Sequence, residues 1–273
     1  MFEGAKILQR VRQERPLIHH LTNFVTMHDC AVITANLGAL PVMAQAEEEV
    51  EEMVASAHAA VINTGTLSPS RARAMRRMGK RARAQSIPVV FDPVGAGSTT
   101  YRTQEIMSIL AATTPAVIKG NEAEISLLTG IHGAAISGVQ AVGPGGDPLE
   151  AALRLRKLLG YNAVIAVTGA VDFISDGSCA AHVFNGHALL PRVVGSGCMA
   201  ASVMASFTAV EENYFAAATA ALATLGVAAE LAAEALKGNF FGPALFKTYL
   251  LDALYLLTPE ELGRRARVEI SAL

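Results

Sequence analysis

Four times in its first 128 residues the chain repeats one grammar: a short unbroken apolar run, a polar turn, then a stretch with helical spacing. The runs 17–21, 59–62, 87–91 and 116–118 lead into helical segments near 27–37, 69–85, 102–112 and 122–128. A fifth run, 163–167, follows a helical stretch at 149–159 and ends in Thr168-Gly169. Apolar runs without alternation are strands covered on both faces. Strands separated by helices pair in parallel. The pattern predicts an α/β fold of three layers, α-β-α, with a mostly parallel central sheet. Residues 3–14 carry Ile7, Leu8 and Val11 on one side of a helix that Pro16 stops. Residues 38–43 read as a short buried strand and the acidic run 47–52 as the exposed start of a helix. The Gly- and Pro-rich segment 130–148 reads as a loop. Residues 172–176 and 180–184 form an antiparallel pair turning at Gly177, and from Met199 the chain reads as helical to its end, with a break near Gly238-Asn239. No linker and no repeat of fixed period appears, so one domain is expected over 1–273.

The polar residues fall where such a sheet holds ligands. Thr22-Asn23, residues 63–66, Asp92, residues 119–124 and Thr168-Gly169 all follow the carboxyl ends of predicted strands. That edge is the binding edge of open parallel sheets. Turns are polar and glycine-rich for their own reasons, but five on one edge predict a site. Asp92, in FDPVGAG, either holds Mg²⁺, directly or through water, or caps the turn after it. Asn121 and Glu124 lie on one side of a first helical turn, where they either face a ligand or form a capping box. Lys119, on the same edge, suits a phosphate. Met43, after Pro41, either fills the core or floors an apolar pocket for a flat ring. His19 and His20 point to opposite faces of a strand and cannot chelate one metal together, which leaves them core or hydrogen-bonding roles.

The stretch VVGSGCMAASVMASFTAV, 193–210, opens a helix directly from a Gly-Ser-Gly turn. Glycines admit an anion close to the backbone. A helix start leaves N–H groups unpaired and carries partial positive charge. The turn at Gly195 and Gly197 is either an anion site for phosphate or an ordinary tight turn. Cys198 stands in the field of that helix start, which favours a thiolate.

Charge and composition exclude several classes. A net charge of −2 gives no electrostatic case for nucleic acid, and the basic run 71–83, interleaved with Ala and Met, reads as the wet face of a helix. Three scattered cysteines show neither metal spacing nor a disulfide framework, which fits a reducing, cytoplasmic setting. The N-terminal stretch has no apolar core of a secretory signal. Residues 214–236 are long and apolar but mostly Ala, with Glu230 and Glu234, so a buried or interfacial helix is expected and no membrane span. No G-x-G-x-x-G follows the first strand, which disfavours a dinucleotide oxidoreductase.

With these residues assembled, the chain resembles the hydroxyethylthiazole kinase family of the ribokinase-like superfamily. The matching segments are HHLTNFVTMHDCAVITANLGALPVMAQAEEEV, VINTGTL, PVVFDPVGAGSTTYRT, VIKGNEAEI, AVTGAVDFISDG and VVGSGCMAASVMASF, in order from about 19 to 207. The resemblance implies ATP-dependent phosphorylation of the alcohol of 4-methyl-5-(2-hydroxyethyl)thiazole in thiamine salvage, with ATP as co-substrate and Mg²⁺ as cofactor. It also implies a homotrimer with active sites between subunits. Carried over by motif, Met43, Gly195, Asn23 and Gly65 contact or line the thiazole pocket. Lys119 and Thr168 contact ATP, with Gly197 in the phosphate turn. Asp92 and Glu124 organise Mg²⁺, and Cys198 takes the place held in the wider superfamily by a catalytic Asp. Lys119 stands where many relatives carry Arg, a point charge in place of a fork. Two other readings remain: a different ribokinase-like enzyme, such as a pyridoxine-type kinase or an NAD(P)H-hydrate dehydratase, and a nucleotide-binding sensor without chemistry.

Overall fold

The computed structural model describes residues 2–130, 135–137, 140–142, 147–238 and 241–273. Helix α1 (Gly4–Glu14) buries Ile7, Leu8 and Val11 and ends ahead of Pro16. The grammar of the sequence then unfolds as β1 (Leu17–Leu21), α2 (Met27–Leu37), β2 (Leu40–Val42), α3 (Val50–Ala55) and β3 (Ala59–Asn63). It continues as α4 (Pro69–Ala84), β4 (Val89–Asp92), α5 (Thr100–Thr113), β5 (Val117–Asn121) and α6 (Glu122–Leu128). A small hairpin, β6 (Ala135–Ser137) and β7 (Gln140–Val142), precedes α7 (Pro148–Leu159), β8 (Val164–Thr168), β9 (Asp172–Ser175) and β10 (Cys179–Val183). The chain closes with α8 (Ser196–Thr208), α9 (Tyr214–Ala235), α10 (Pro243–Leu256), α11 (Pro259–Arg265) and β11 (Val268–Ala272).

Nine strands make one sheet in the order β2-β1-β3-β4-β5-β8-β9-β10-β11. Pairing is parallel from β2 to β8 and antiparallel from β8 to β11. Helices cover both faces. Ala59 and Val61 of β3 belong to the core shared with α1, α2 and α8 to α11, while Ala60 and Ile62 belong to the core shared with α3 to α7. This two-sided cover is why the strands read as unbroken apolar runs. The chain leaves β1 toward β2 on one side, then crosses back to β3 on the other, so the switch point lies between β1 and β3. Crevices open at such points, outside the strands' carboxyl ends.

Helix α8 packs against β1, β3 and β4. It is buried from Cys198 through Thr208, which explains a stretch apolar and small on every side. Helix α9 is long and apolar enough to cross a membrane, yet 83% of its apolar window is buried within the fold. The basic face of α4 meets the acidic run: Arg73 pairs with Glu47 at 3.0 Å, Arg77 with Glu51, and Arg76 with Glu105 of α5.

Three expectations need correction. Residues 38–43 yield not a buried strand but the sheet's edge strand β2, with Leu40 exposed. The segment 130–148 contains the β6–β7 hairpin, not only loop; its residues 131–134, 138–139 and 143–146 lie outside the described residues. The C-terminus is not helical to its end, because the alternating stretch Val-Glu-Ile-Ser-Ala pairs antiparallel with β10. Helix α9 stops at Ala235 and α10 begins at Pro243; Asn239, at the expected break, lies outside the described residues.

Candidate active site

Helix α8 starts from Gly195, whose φ of +90° lies in the left-handed region. A Cβ there would also stand 2.5 Å from Thr26 Cγ2. Gly195→Ala is therefore expected to cost about 2 kcal/mol, read as a fall in Tm of about 6 °C. An unchanged Tm would show the turn relaxing freely. Gly195 offers no side-chain cap. Ser196 N–H donates to Val193 O at 3.1 Å, but the N–H groups of Gly197 and Cys198 have no acceptor among the described residues. Both residues line a cavity of about 640 Å³.

Opposite this helix start lie the strand ends. Asp92 of β4, Lys119 and Asn121 of β5, Glu124 of α6 and Thr168 of β8 line the same cavity. Phe184, Leu222 and Leu225 add apolar surface to the lining, of a kind that suits a flat ring. Lys119 Nζ donates to Asp92 Oδ1 at 3.3 Å, with both side chains buried. Nζ also lies 3.1 Å from where a Gly197 Cβ would be. The cation thus sits beside the first turn of α8. The side-chain oxygens of Asp92 go to Asn63 Nδ2 (2.7 Å) and Lys119, not to the turn after β4, so turn capping is not its role. Asn121 and Glu124 do form the capping box, and Glu124 also accepts from Gly95 N–H at 3.2 Å. Capping and facing the cavity are compatible here, because the box itself fixes the carboxylate at the cavity wall.

Burial sets the electrostatics. It raises the Asp92 carboxyl, against the pull of Lys119 and Asn63. Burial alone would lower Lys119, but the fields of Asp92, Glu124 and Cys198 together outweigh it and hold the ammonium charged. Burial and Asp92 push Glu124 up to about 7, against Lys119. Asp172 at the start of β9, another carboxyl on this wall, is pushed up to about 6 by burial. A site with three strained carboxyls and one fixed cation is short of positive charge, which a metal ion or further donors would supply.

Cys198 departs from expectation. Burial and then Asp92 raise its thiol, against hydrogen bonds from Thr26 and Asn23, so it stands as a neutral thiol at neutral pH rather than a thiolate. The helix field is real but smaller than the desolvation of a sulfur anion. Cys198 Sγ receives Asn23 Nδ2 and Asn63 Nδ2, each at 3.3 Å.

Of the residues singled out in the sequence, Asp92, Lys119, Glu124, Thr168, Gly195, Gly197 and Cys198 meet around one cavity. Asn23 reaches it through Cys198, and Gly65 sits against Asn23, where a Cβ would come within 2.7 Å of Asn23 Cβ. Met43 is half-buried beyond the end of β2 and is not among the residues lining the cavity. His19 and His20 are fully buried and bond to Ala44 O and Ile18 O, as hydrogen-bonding core residues do.

Residues 8–260 match the Hydroxyethylthiazole kinase family. The hydroxyethylthiazole kinase of Chloroflexus aggregans is 50% identical over 264 residues, covering 97% of this chain and 92% of that protein. The chain belongs to the hydroxyethylthiazole kinase family. The structure of a hydroxyethylthiazole kinase protein from Pyrococcus horikoshii OT3 superposes with a TM-score of 0.87 at 40% identity, covering 98% of each chain. A ribokinase-like superfamily protein from Enterococcus faecalis, 13% identical, gives a TM-score of 0.62 over 95% of this chain and 98% of that one, and so shares the fold. Two residues of this candidate site carry no separate signal in the sequence. Asn63 was seen only as part of a polar turn; its importance shows once β3 and β4 are in register, with Asn63 beside Asp92. Asp172 was read as an ordinary strand residue, and only burial distinguishes it.

Proposed function

We propose that this chain transfers the γ-phosphoryl group of ATP to the primary alcohol of 4-methyl-5-(2-hydroxyethyl)thiazole, a salvage step toward thiamine. One observation carries the reading: two N–H groups at the start of α8, without an acceptor among the described residues, and the buried Lys119–Asp92 pair line a single cavity. That is an arrangement for a phosphate in motion, with donors and a cation fixed before the charge develops. In this reading Lys119 and Thr168 hold the polyphosphate, Gly195 and Gly197 keep the approach to the backbone open, and Asn23, Gly65 and Met43 border the thiazole. The alcohol oxygen bonds to the γ-phosphorus as the bond from phosphorus to the β–γ bridging oxygen breaks; ADP leaves with that oxygen, and the hydroxyl proton passes late to an oxygen of the transferred phosphoryl group and on to water.

Cys198 accepts the hydrogen bond of the attacking hydroxyl. As a neutral thiol it orients the alcohol more than it deprotonates it. A loose transition state needs little base strength before the new bond forms. General-base help is typically worth about 10²–10⁴-fold, so Cys198→Ala is expected to lower kcat modestly, by about tenfold. Cys198→Asp, with a better acceptor in the same place, is expected to preserve or raise kcat. If the Ala variant turned over like the wild type at saturating substrates, Cys198 would have no part in the chemistry.

The donor set fits Mg²⁺ in a hydrated form. Asp92 and Glu124 are two crowded carboxyls on one wall, and no group of three ligating side chains occurs among the described residues. Mg²⁺ held mainly by phosphates and water needs no more than one or two carboxylates. When bound, it would neutralise charge on the nucleotide's terminal phosphates.

The reading extends to a single kinase domain over 1–273, in the cytoplasm, acting as a homotrimer with its sites between subunits. Support for the last comes from Phe24, Val25 and Val194, three apolar residues that border Asn23 and Gly195 and are exposed by 65%, 66% and 71%. Incubation with ATP, Mg²⁺ and the thiazole alcohol, followed by mass analysis, is expected to show the gain of one phosphate. ATP binding without thiazole-dependent ADP release would instead identify a nucleotide sensor.

A further inference from the structure

Asn63 closes β3 and is fully buried. Its amide makes every bond an amide can make in that place. Nδ2 donates to Asp92 Oδ2 at 2.7 Å and to Cys198 Sγ at 3.3 Å. Oδ1 accepts from Asn23 Nδ2 and from Gly65 N–H, both at 3.0 Å. The orientation of the amide is forced, since a backbone N–H only donates and a carboxylate only accepts. Asn23 is held as firmly, its Oδ1 accepting from Val25 N–H and Thr26 N–H at 3.1 Å.

The consequence lies at the sulfur. A cysteine side chain has three staggered positions about χ1. Two amide N–H groups, one from Asn23 and one from Asn63, select one of them. The same Asn63 nitrogen also grips the carboxylate that pairs with Lys119. One side chain therefore ties the sulfur on the acceptor side to the Asp92–Lys119 pair on the phosphate side.

We infer that Asn63 is a positioning residue for phosphoryl transfer, holding Cys198 Sγ in the rotamer that meets the acceptor alcohol and in register with Asp92. The inference rests on the reading of Cys198 as the group that orients that alcohol. A strand-end amide with four hydrogen bonds also has a plain structural use, so the test must separate the two.

A double-mutant cycle does so. Asn63→Ser keeps a hydroxyl for Gly65 N–H but cannot reach the sulfur. It is expected to lower kcat about tenfold, with KM for the thiazole alcohol changed less than about threefold. In a Cys198→Ala background the same substitution is expected to cost less, no more than about threefold, because the sulfur is gone and only the hold on Asp92 is left to lose. Equal losses in the two backgrounds would overturn the inference while leaving the role of Cys198 standing. A Cys198→Ala variant as fast as the wild type would overturn both, and that single variant identifies which reading failed. Should Asn63→Ser fold poorly, Asn63→Asp keeps the shape and both accepted bonds. Sharing a proton with Asp92, it loses only the donor to sulfur, and the same non-additivity is expected. Additive losses with this variant would equally overturn the inference.

Discussion

Gly197→Val is expected to abolish phosphoryl transfer, lowering kcat/KM by about 10³ or more, while leaving the circular dichroism spectrum and Tm close to those of the wild type. The size follows from what the side chain would cover. Removing one donor from a preorganised anion hole typically costs about 10²–10³, and a branched side chain at 197 would stand before two, the N–H groups of Gly197 and Cys198. Even a Cβ would lie 3.1 Å from Lys119 Nζ, so the ammonium would have to give by a few tenths of an ångström as well. The fold has little to lose, because Gly197 lies inside α8 without a positive φ, and valine is a better helix residue than glycine. Gly197→Ala should fall between, with Lys119 giving way by a few tenths of an ångström. Loss of folding would make this glycine structural, and an undiminished rate would mean the α8 donors take no part.

Lys119→Met is expected to damage both activity and stability. The variant loses the fixed charge beside the phosphate turn, for which a loss of about 10³ in kcat/KM is expected. It also leaves Asp92 buried without its cation. Breaking a buried pair by removing one partner costs about 3–5 kcal/mol, or roughly 10 °C in Tm. The pH dependence gives this explanation a sign. Burial already raises the Asp92 carboxyl, and loss of Lys119 raises it further. A carboxyl raised on folding favours the native state most when protonated. That stability is lost as pH rises from the ordinary carboxylate range through the folded value. The Tm of Lys119→Met should therefore fall between pH 5 and 8 by more than that of the wild type. Glu124 and Asp172, which Lys119 also holds down, should shift in the same direction and add to the difference. Parallel profiles would show that these buried carboxyls do not depend on Lys119. Lys119→Arg keeps the charge and should retain stability better than Met, with a rate set by how a planar fork fits the space of an ammonium.

How far the site was legible depended on whether each signal was local. Asp92, Lys119 and Thr168 could be placed because each ends an apolar run, and parallel strands bring such ends to one edge. Residues 122–128 were bounded correctly because the capping pair Asn121 and Glu124 is written in the sequence itself. Signals that needed a partner strand were lost. Val268–Ala272 alternates and pairs with β10, but it follows the basic helix end Arg264-Arg265 and read as more helix. Asn63 gained its meaning only from lying beside Asp92. The thiolate expected at Cys198 failed for a related reason: the helix start is local and visible, whereas the burial and the carboxylate that oppose it come from the sheet beneath.

The claim on which the account stands is that the start of α8 receives the group being transferred. A crystal structure with a non-hydrolysable ATP analogue and Mg²⁺ tests it directly. The γ-phosphate oxygens are expected within about 3.2 Å of the backbone nitrogens of Gly197 and Cys198, with Lys119 Nζ alongside. A terminal phosphate bound elsewhere, with those two N–H groups facing solvent, would contradict it.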